Sequence, residues 1–237
     1  MASVKSADDA TEPSHAGERR WPADFKIKVN SRRPLMRVDM RKKPMTDTEN
    51  QDDEWTLWWD ARVSAMENIL GKSADTVGHG VIPFQFGAEM GGAADIVYFH
   101  NHLNGVVAVT AELIGCDDQL PNDQGNYELM ICSRSDDEWG PNIICQLAHY
   151  TLESALNPGE TMDIGPATPN GSTIAAFLFC DYGRFKVRDR PAGLLLCLGI
   201  TAEELSECRA GNRTDVESAL KDAGVYPFTD LFRKSVL

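Results

Sequence analysis

The sequence lacks a long apolar run and a secretory leader, and each absence excludes a class of protein. Its longest apolar stretches, at 174–180 and 194–200, are far shorter than the roughly 20 residues that a membrane-spanning helix needs. The N-terminus has no apolar segment behind a basic one, which is the pattern of a secretory signal. We therefore predict a cytoplasmic protein that does not enter the membrane.

Paired cysteines and catalytic signatures are missing as well. The six cysteines form no CxxC pair and most of them stand in apolar contexts, which is typical of free thiols in a reducing compartment. There is no GxSxG elbow, and the glycine-rich stretch at 87–92 lacks the Lys-Ser/Thr of a phosphate loop. These absences predict a protein that is not an enzyme and that binds no cofactor.

Two histidines are the best candidates for metal ligands. His100 and His102 stand two residues apart at the end of a predicted strand, where their imidazoles would share one face. No third ligand follows at a diagnostic spacing, so we predict no metal site. An enzyme with a metal or acidic pocket remains the alternative hypothesis.

The charge is divided unevenly along the 237 residues. Residues 1–43 carry 11 Lys/Arg against 6 Asp/Glu, a net charge of +5, while the remainder carries 12 against 30, a net charge of −18. Residues 1–51 are polar, rich in charge and without hydrophobic period, which predicts a disordered basic tail. Three interpretations of it stay open: a nucleic-acid contact, a tail lying on its own acidic domain, or an extension before a biological start at Met45.

The remaining residues, 52–237, predict a single α+β domain. An amphipathic helix with three tryptophans ends at Gly71, and a second helix starts with Pro141 as a first helical residue. Capping boxes at 201–204 and 214–217 predict two more helices. Short β-branched or aromatic runs predict strands at 81–86, 95–99, 106–113, 127–132, 173–180 and 193–200. Neighbouring strands without strict βαβ alternation favour a central mixed β-sheet packed by helices.

Two acidic loops are the predicted partner-binding residues. In a region of charge −18, carboxylates in loops favour a partner with a basic surface, because they steer its approach. The tryptophans of the first helix are a second candidate, although burial against the sheet is the commoner use of aromatic residues at helical spacing. The predicted residues of the loops are Asp117, Asp118, Asp136, Asp137, Glu138 and Trp139.

Several segments together resemble the suppressor of fused-like domain family, in its stand-alone bacterial form. The resemblance runs from about residue 58 to 237 and rests on VIPFQF at 81–86, GNYEL at 125–129, Trp139 with LAHY at 147–150, ITAEEL at 200–205 and YPFTDLFRKSV at 226–236. Each motif alone is weak, but the set is specific.

The resemblance implies a non-catalytic domain that binds other proteins. The animal member of the family sequesters a transcription factor, and bacterial relatives occur at polymorphic-toxin loci, where an immunity role has been proposed. We therefore expect a protein–protein interaction domain, with an immunity-type inhibitor of a toxin as one such role. We expect no counterpart of the animal protein's further C-terminal domain, so no binding residue is carried over from that protein.

Overall fold

A computed structural model describes residues 18–20, 36–39, 51–79 and 94–237, with side chains for 54–78 and 94–237. Within these ranges nine strands form one sheet and four α-helices pack on it. The strands are β1 (Glu18–Arg20), β2 (Met36–Asp39), β3 (Thr76–His79), β4 (Asp95–Phe99), β5 (Val106–Thr110), β6 (Asn126–Ser133), β7 (Thr161–Asp163), β8 (Ile174–Val187) and β9 (Arg190–Thr201). The helices are α1 (Gln51–Leu70), α2 (Trp139–Tyr150), α3 (Ala202–Glu207) and α4 (Arg213–Asp222).

The sheet is mixed, which confirms the predicted fold class. Its strand order is β1-β7-β8-β9-β6-β5-β4-β3-β2. The pairs β6–β9 and β1–β7 are parallel, and the other described pairs are antiparallel. The central contact between β6 and β9 therefore joins two segments that are distant in the sequence.

Helices cover both faces of the sheet. On one face, α2 packs on inward side chains that include Leu129 and Ile131 of β6. On the other face, α1, α3 and α4 pack on the alternate side chains, which include Met130 and Cys132. Because both faces are covered, β9 is buried from Ala192 to its end, as its apolar sequence predicts.

Helix α1 confirms the amphipathic pattern but divides its tryptophans. Trp59, Met66 and Leu70 are buried against the sheet, and the Trp55 ring stacks on Trp59 with 5.5 Å between centroids. Trp58 is only half-buried and lies at the end of the sheet. The core interpretation therefore holds for Trp59 and not for Trp58.

Two predicted helix starts need correction. Helix α2 begins at Trp139, so Pro141 is its third residue; a missing N–H is tolerated throughout the first turn. The box at Thr201 is formed, but Thr214 does not cap α4, because that helix already begins at Arg213 and Thr214 is its second residue. Gly211, with φ of 96°, provides the kink between α3 and α4.

The last two strands are longer than predicted. Strand β8 continues to Val187, seven residues past the predicted end, and β9 begins at Arg190, three residues before Gly193. The turn between them uses Arg188 and Asp189 with φ of 48° and 68°. Non-glycine residues rarely adopt this conformation, so no turn signal marked the hairpin in the sequence.

Some predictions fall on residues that the structure does not describe. The strand predicted at 81–86 lies outside the described residues. Of the predicted tail, the structure describes Glu18–Arg20, which pairs with β7, and Met36–Asp39, which pairs with β3.

Candidate functional site

The two predicted acidic loops lie at opposite ends of the sheet. Asp117 and Asp118 precede strand β6, whereas Asp136, Asp137 and Glu138 follow it. Eight residues of strand at about 3.3 Å per residue separate the loops by roughly 26 Å. The structure therefore does not bring the six predicted residues together into one small site.

The loop at Asp136–Trp139 is tied to the start of helix α2. The Oδ1 atom of Asp137 accepts a hydrogen bond from the Gly140 amide at 3.0 Å, which satisfies an N–H that the first turn leaves open. The Trp139 indole donates to the Ala167 carbonyl at 2.9 Å, and its ring packs on Phe177. Asp137 and Trp139 thus stabilise the fold, while Asp136 and Glu138 are exposed.

The loop at Asp117 meets the tryptophan helix and the β8–β9 hairpin. Asp117 and Asp118 are both exposed. Asp117 Oδ1 pairs with Arg190 Nη1 at 3.3 Å. The Arg190 guanidinium also lies 5.2 Å from the centroid of the Trp58 ring. One acidic loop and the tryptophan helix, which the sequence offered as separate candidates, therefore share this end of the sheet.

A second arginine completes this contact. The Arg188 guanidinium lies 4.8 Å from the Trp58 centroid and pairs with Glu54, which lowers the pKa of that carboxyl. Leu57, beside Trp58 in the sequence, is 55% exposed. We call Glu54, Leu57, Trp58, Asp117, Arg188 and Arg190 the tryptophan–arginine surface. Tryptophan and arginine are the residue types most enriched in the energetic centres of protein interfaces.

The β8–β9 hairpin adds basic side chains to this end of an acidic domain. Arg184, Lys186, Arg188 and Arg190 supply four of the 12 Lys/Arg found after residue 43, and all four are exposed. Arg184 also pairs with Asp181 at 2.6 Å. The surface therefore presents both signs of charge around a half-buried aromatic ring.

A buried ionic network fixes the backbone beneath this surface. Glu128 accepts hydrogen bonds from the amides of Leu113 and Ile114 at 2.9 and 2.8 Å and from the Thr110 hydroxyl at 2.6 Å. Burial raises the pKa of Glu128 to about 7, although nearby Arg62 favours its charged form. Arg62 is itself buried and donates to the Ile114 carbonyl at 2.9 Å.

The loop above that network has little room for movement against α1. Gly115 has φ of 94°, and a Cβ there would lie 2.8 Å from the Trp58 ring. Only glycine combines that backbone conformation with such a close approach. The network and the glycine together hold the Asp117 loop against Trp58.

The two histidines do not form the predicted pair. The His102 Nε2 atom lies 2.6 Å from the Tyr182 hydroxyl, on the α1 side of the sheet, and burial lowers its pKa. The His100 ring stacks instead near Tyr98, whose side chain belongs to the α2 side. The expectation of two imidazoles on one face is wrong, because the chain bends away from β4 after Phe99.

Neither a metal-binding cluster nor a membrane helix occurs in the part of the chain that the structure describes. There, no three His, Cys, Asp or Glu residues stand close enough together to hold a metal ion. None of the described helices has the length and apolar character that crossing a bilayer requires.

The C-terminal motif is joined to the α3 cap by a buried ion pair. Arg233 donates through Nη1 and Nη2 to the two carboxylate oxygens of Glu204, at 2.6 and 2.5 Å. Glu204 also accepts from the Thr201 and Val236 amides. Burial opposes ionisation of Glu204, but these hydrogen bonds outweigh it and lower its pKa. Two motifs of the sequence are therefore parts of one structural unit.

The architecture and the motifs define an α+β domain with a helix-covered mixed sheet and a C-terminal segment locked to it. The chain belongs to the suppressor of fused family: the family model described as Suppressor of fused protein (SUFU) matches residues 96–234, more than half of the chain. This confirms the resemblance seen in the sequence. No curated protein sequence matches the chain.

One solved structure shows the same fold at low sequence identity, and two others are similar to the chain with lower scores. A protein named as a SUFU (suppressor of fused protein) homolog from Neisseria gonorrhoeae FA 1090 is 16% identical, with a TM-score of 0.53, over 76% of this chain and 97% of that one. Drosophila Suppressor of Fused is 11% identical with a TM-score of 0.45, over 68% of this chain and 43% of that one. A chain of the Sufu-Fu complex is 11% identical with a TM-score of 0.48, over 87% and 86%.

Proposed function

We propose that this chain is a non-catalytic protein-binding domain and that the tryptophan–arginine surface, together with Asp118, contacts the partner. The observation that carries the proposal is the half-buried Trp58 ring, which two exposed guanidinium groups approach at 4.8 and 5.2 Å from its centroid, beside an exposed acidic loop. Membership of the suppressor of fused family supports a binding role. The hypothesis of a metal enzyme loses its main support, since His100 and His102 engage different faces of the sheet.

The partner that fits best is a protein with basic and apolar groups side by side. Asp118 is exposed. Asp117 pairs with Arg190 at the surface, where such an ion pair is weak and can be exchanged for a pair with the partner. The net charge of −18 after residue 43 would speed the approach of such a partner. Leu57 and Trp58 would bury apolar area once it is bound.

The specific role we propose is that of a cytoplasmic, immunity-type inhibitor that masks a basic surface of a toxin. The six free thiols support the reducing location. The product of a neighbouring toxin gene is the partner to test, and the basic tail offers the alternative of nucleic-acid contact. A gel shift that compares the full chain with one starting at Met45 tests that alternative.

Charge reversal at the two ends of the sheet tests the binding surface. The full chain, immobilised, is used to capture proteins from its source cell, in parallel with an Asp117→Lys/Asp118→Lys variant. The matched control, Asp136→Lys/Glu138→Lys, reverses two exposed carboxylates at the other end of the sheet. We expect wild type and the control to capture the same protein. The Asp117→Lys/Asp118→Lys variant should capture at least tenfold less of it.

Titration of the purified partner then distinguishes the outcomes. A Trp58→Ala chain should bind at least tenfold more weakly, and raised salt should lower the association rate. Loss of binding only in the control variant would assign the partner to the α2 end instead. Capture of no protein at low or physiological salt would contradict the binding function itself.

A further inference from the structure

One edge of the sheet is completed by a short strand from far upstream. Strand β2 pairs antiparallel with β3, with Met36 opposite His79 and Val38 opposite Val77. It is four residues long and is the last strand on this side of the described sheet. Without it, the outer N–H and C=O groups of β3 would be open to another strand.

A groove runs beside the same edge, between α1 and the sheet. It has a volume of about 190 Å³ and is lined by Trp59, Val63, Ala74, Asp75, Val77 and Val97, together with Ser73. The lining is mostly apolar, and the exposed Asp75 adds a carboxylate. The groove thus offers an apolar surface next to a strand edge.

The sequence of β2 matches the groove in register. Residues directly opposite each other in a ladder share a face of the sheet. Since Val77 lines the groove, its ladder partner Val38 occupies a position on the groove side, and Met36 does so by the period of two. Arg37 and Asp39 occupy the alternate positions. The apolar residues of this strand therefore stand at the two positions on the face of the sheet that carries Val77.

Charge and chain length favour the same arrangement. Residues 1–43 carry a net charge of +5, and the remainder carries −18. Residues 40–50 connect β2 to α1, and so short a tether gives an effective concentration in the millimolar range. A segment with only four paired residues can therefore occupy the edge without binding it tightly.

We propose that this edge and its groove form a strand-docking site whose resident occupant is Met36–Asp39 of the same chain. The kind of partner that fits is an extended protein segment with apolar residues at alternate positions, which exchanges with the resident strand. Strand addition of this kind takes affinity from main-chain hydrogen bonds and selectivity from the alternate side chains. The site is separate from the tryptophan–arginine surface.

A labelled peptide of residues 32–43 tests the exchange with the full chain. Fluorescence anisotropy measures its affinity for wild type and for a Met36→Asp/Val38→Asp variant, in which the resident strand cannot compete. We expect the variant to bind the peptide at least tenfold more tightly than wild type. The matched control, Arg37→Gln/Asp39→Asn, changes only the alternate positions and should bind like wild type. Equal affinity of all three chains would overturn the proposal.

A second pair of variants tests the groove. In the Met36→Asp/Val38→Asp background, Val63→Glu places a carboxylate in the groove, and Ser64→Glu places one at the exposed neighbouring position. We expect the first to abolish peptide binding and the second to leave it unchanged, with native circular dichroism in both. Equal peptide affinity of these two chains would refute the groove as the docking site. So would unchanged affinity for a peptide that itself carries the two Asp substitutions, because charge alone would then attract the segment.

Discussion

The buried pair of Glu204 and Arg233 shows how a single residue can hold a whole segment. The Arg233 guanidinium also donates to the Gly199 carbonyl at 3.0 Å, so it links the α3 cap, β9 and the C-terminus. Removal of one member of such a pair leaves the other charged and without compensation in the interior, which is more costly than the loss of an exposed ion pair.

We therefore expect Arg233→Met to lower the free energy of unfolding by about 3–5 kcal/mol. Urea unfolding at pH 7 provides the measurement, and Lys234→Met at the exposed neighbouring position is the control, with an expected change within about 0.5 kcal/mol. Because the pKa of Glu204 is lowered in the folded state, its contribution exists above pH 4.5 and is lost as the pH falls through the folded pKa. Equal costs for the two variants would contradict the assignment.

Glu128 predicts a pH dependence of the opposite sign. Burial raises its pKa from 4.5 to about 7, so the folded chain holds this proton more tightly than the unfolded chain does. The associated stability is present below pH 4.5 and is lost as the pH rises to about 7; it amounts to about 3 kcal/mol at roughly 1.4 kcal/mol per pKa unit.

Replacement of Glu128 by Gln should remove this dependence. Urea unfolding of both chains at pH 5 and pH 8 gives the comparison: wild type should lose more stability than Glu128→Gln over this interval. The comparison uses the pH slopes rather than the absolute free energies of unfolding. The slope reports protonation of Glu128, whereas loss of the charge that faces Arg62 changes the absolute value. Parallel slopes would show that the carboxylate is charged in the folded chain throughout.

At the scale of elements, helices α3 and α4 differ although their sequences start with the same pattern. Thr201 accepts a hydrogen bond from the Glu204 amide at 3.3 Å, and Glu204 accepts one from the Thr201 amide at 2.9 Å. Thr214 is instead the second residue of α4, because the chain leaves the helical conformation at Gly211 and Asn212 stands at the N-cap position. A Thr-x-x-Glu pattern forms a box only where the threonine itself stands at the N-cap position.

Substitution of each threonine by valine tests this difference. Valine keeps the volume of the side chain and removes the hydroxyl. We expect Thr201→Val to reduce the free energy of unfolding by about 1 kcal/mol, and Thr214→Val to change it by less than about 0.5 kcal/mol. Thermal or urea unfolding measures both changes. An equal loss of stability at both sites would indicate that Thr214 also caps its helix.

At the scale of the whole molecule, the cysteines predict stability that is independent of redox state. All six are free; only Cys116 and Cys208 are half-buried, and burial raises the pKa of Cys208 to about 11. We expect a thiol reagent to modify at most these two, slowly, in the native chain and all six in urea. Addition of a reductant should leave the melting temperature unchanged. Fewer than six reactive thiols in urea would indicate a disulfide.

The sequence predicted those parts of the fold that local patterns determine. The buried strand at 194–200, the cap at Thr201 and the tryptophan helix follow from apolar period and capping chemistry. The β8–β9 turn could not be found, because Arg188 and Asp189 adopt a conformation that the sequence usually marks with glycine or asparagine. The separation of His100 from His102 depends on a bend after β4 that has no local signature.

The candidate site was only half predictable for a similar reason. Asp117 and Trp58 could each be named from the sequence. Arg190, which contacts both of them, lies 73 residues away from Asp117 in the sequence. The distance between the two acidic loops follows from the direction and length of β6. Neither relation can be read from composition or spacing, because both arise from the pairing of distant strands.

The parallel pair at the centre of the sheet has a consequence for synthesis of the chain. Strand β6 pairs with β5 on one side and with β9 on the other, and β9 begins only at Arg190. About three quarters of the domain, residues 52–189, are therefore synthesised before the middle of the sheet can close. Until β9 is available, β6 presents an open apolar edge to chaperones and to other nascent chains. Pairing of β9 with β6 therefore ends the period in which the nascent chain is most prone to aggregate.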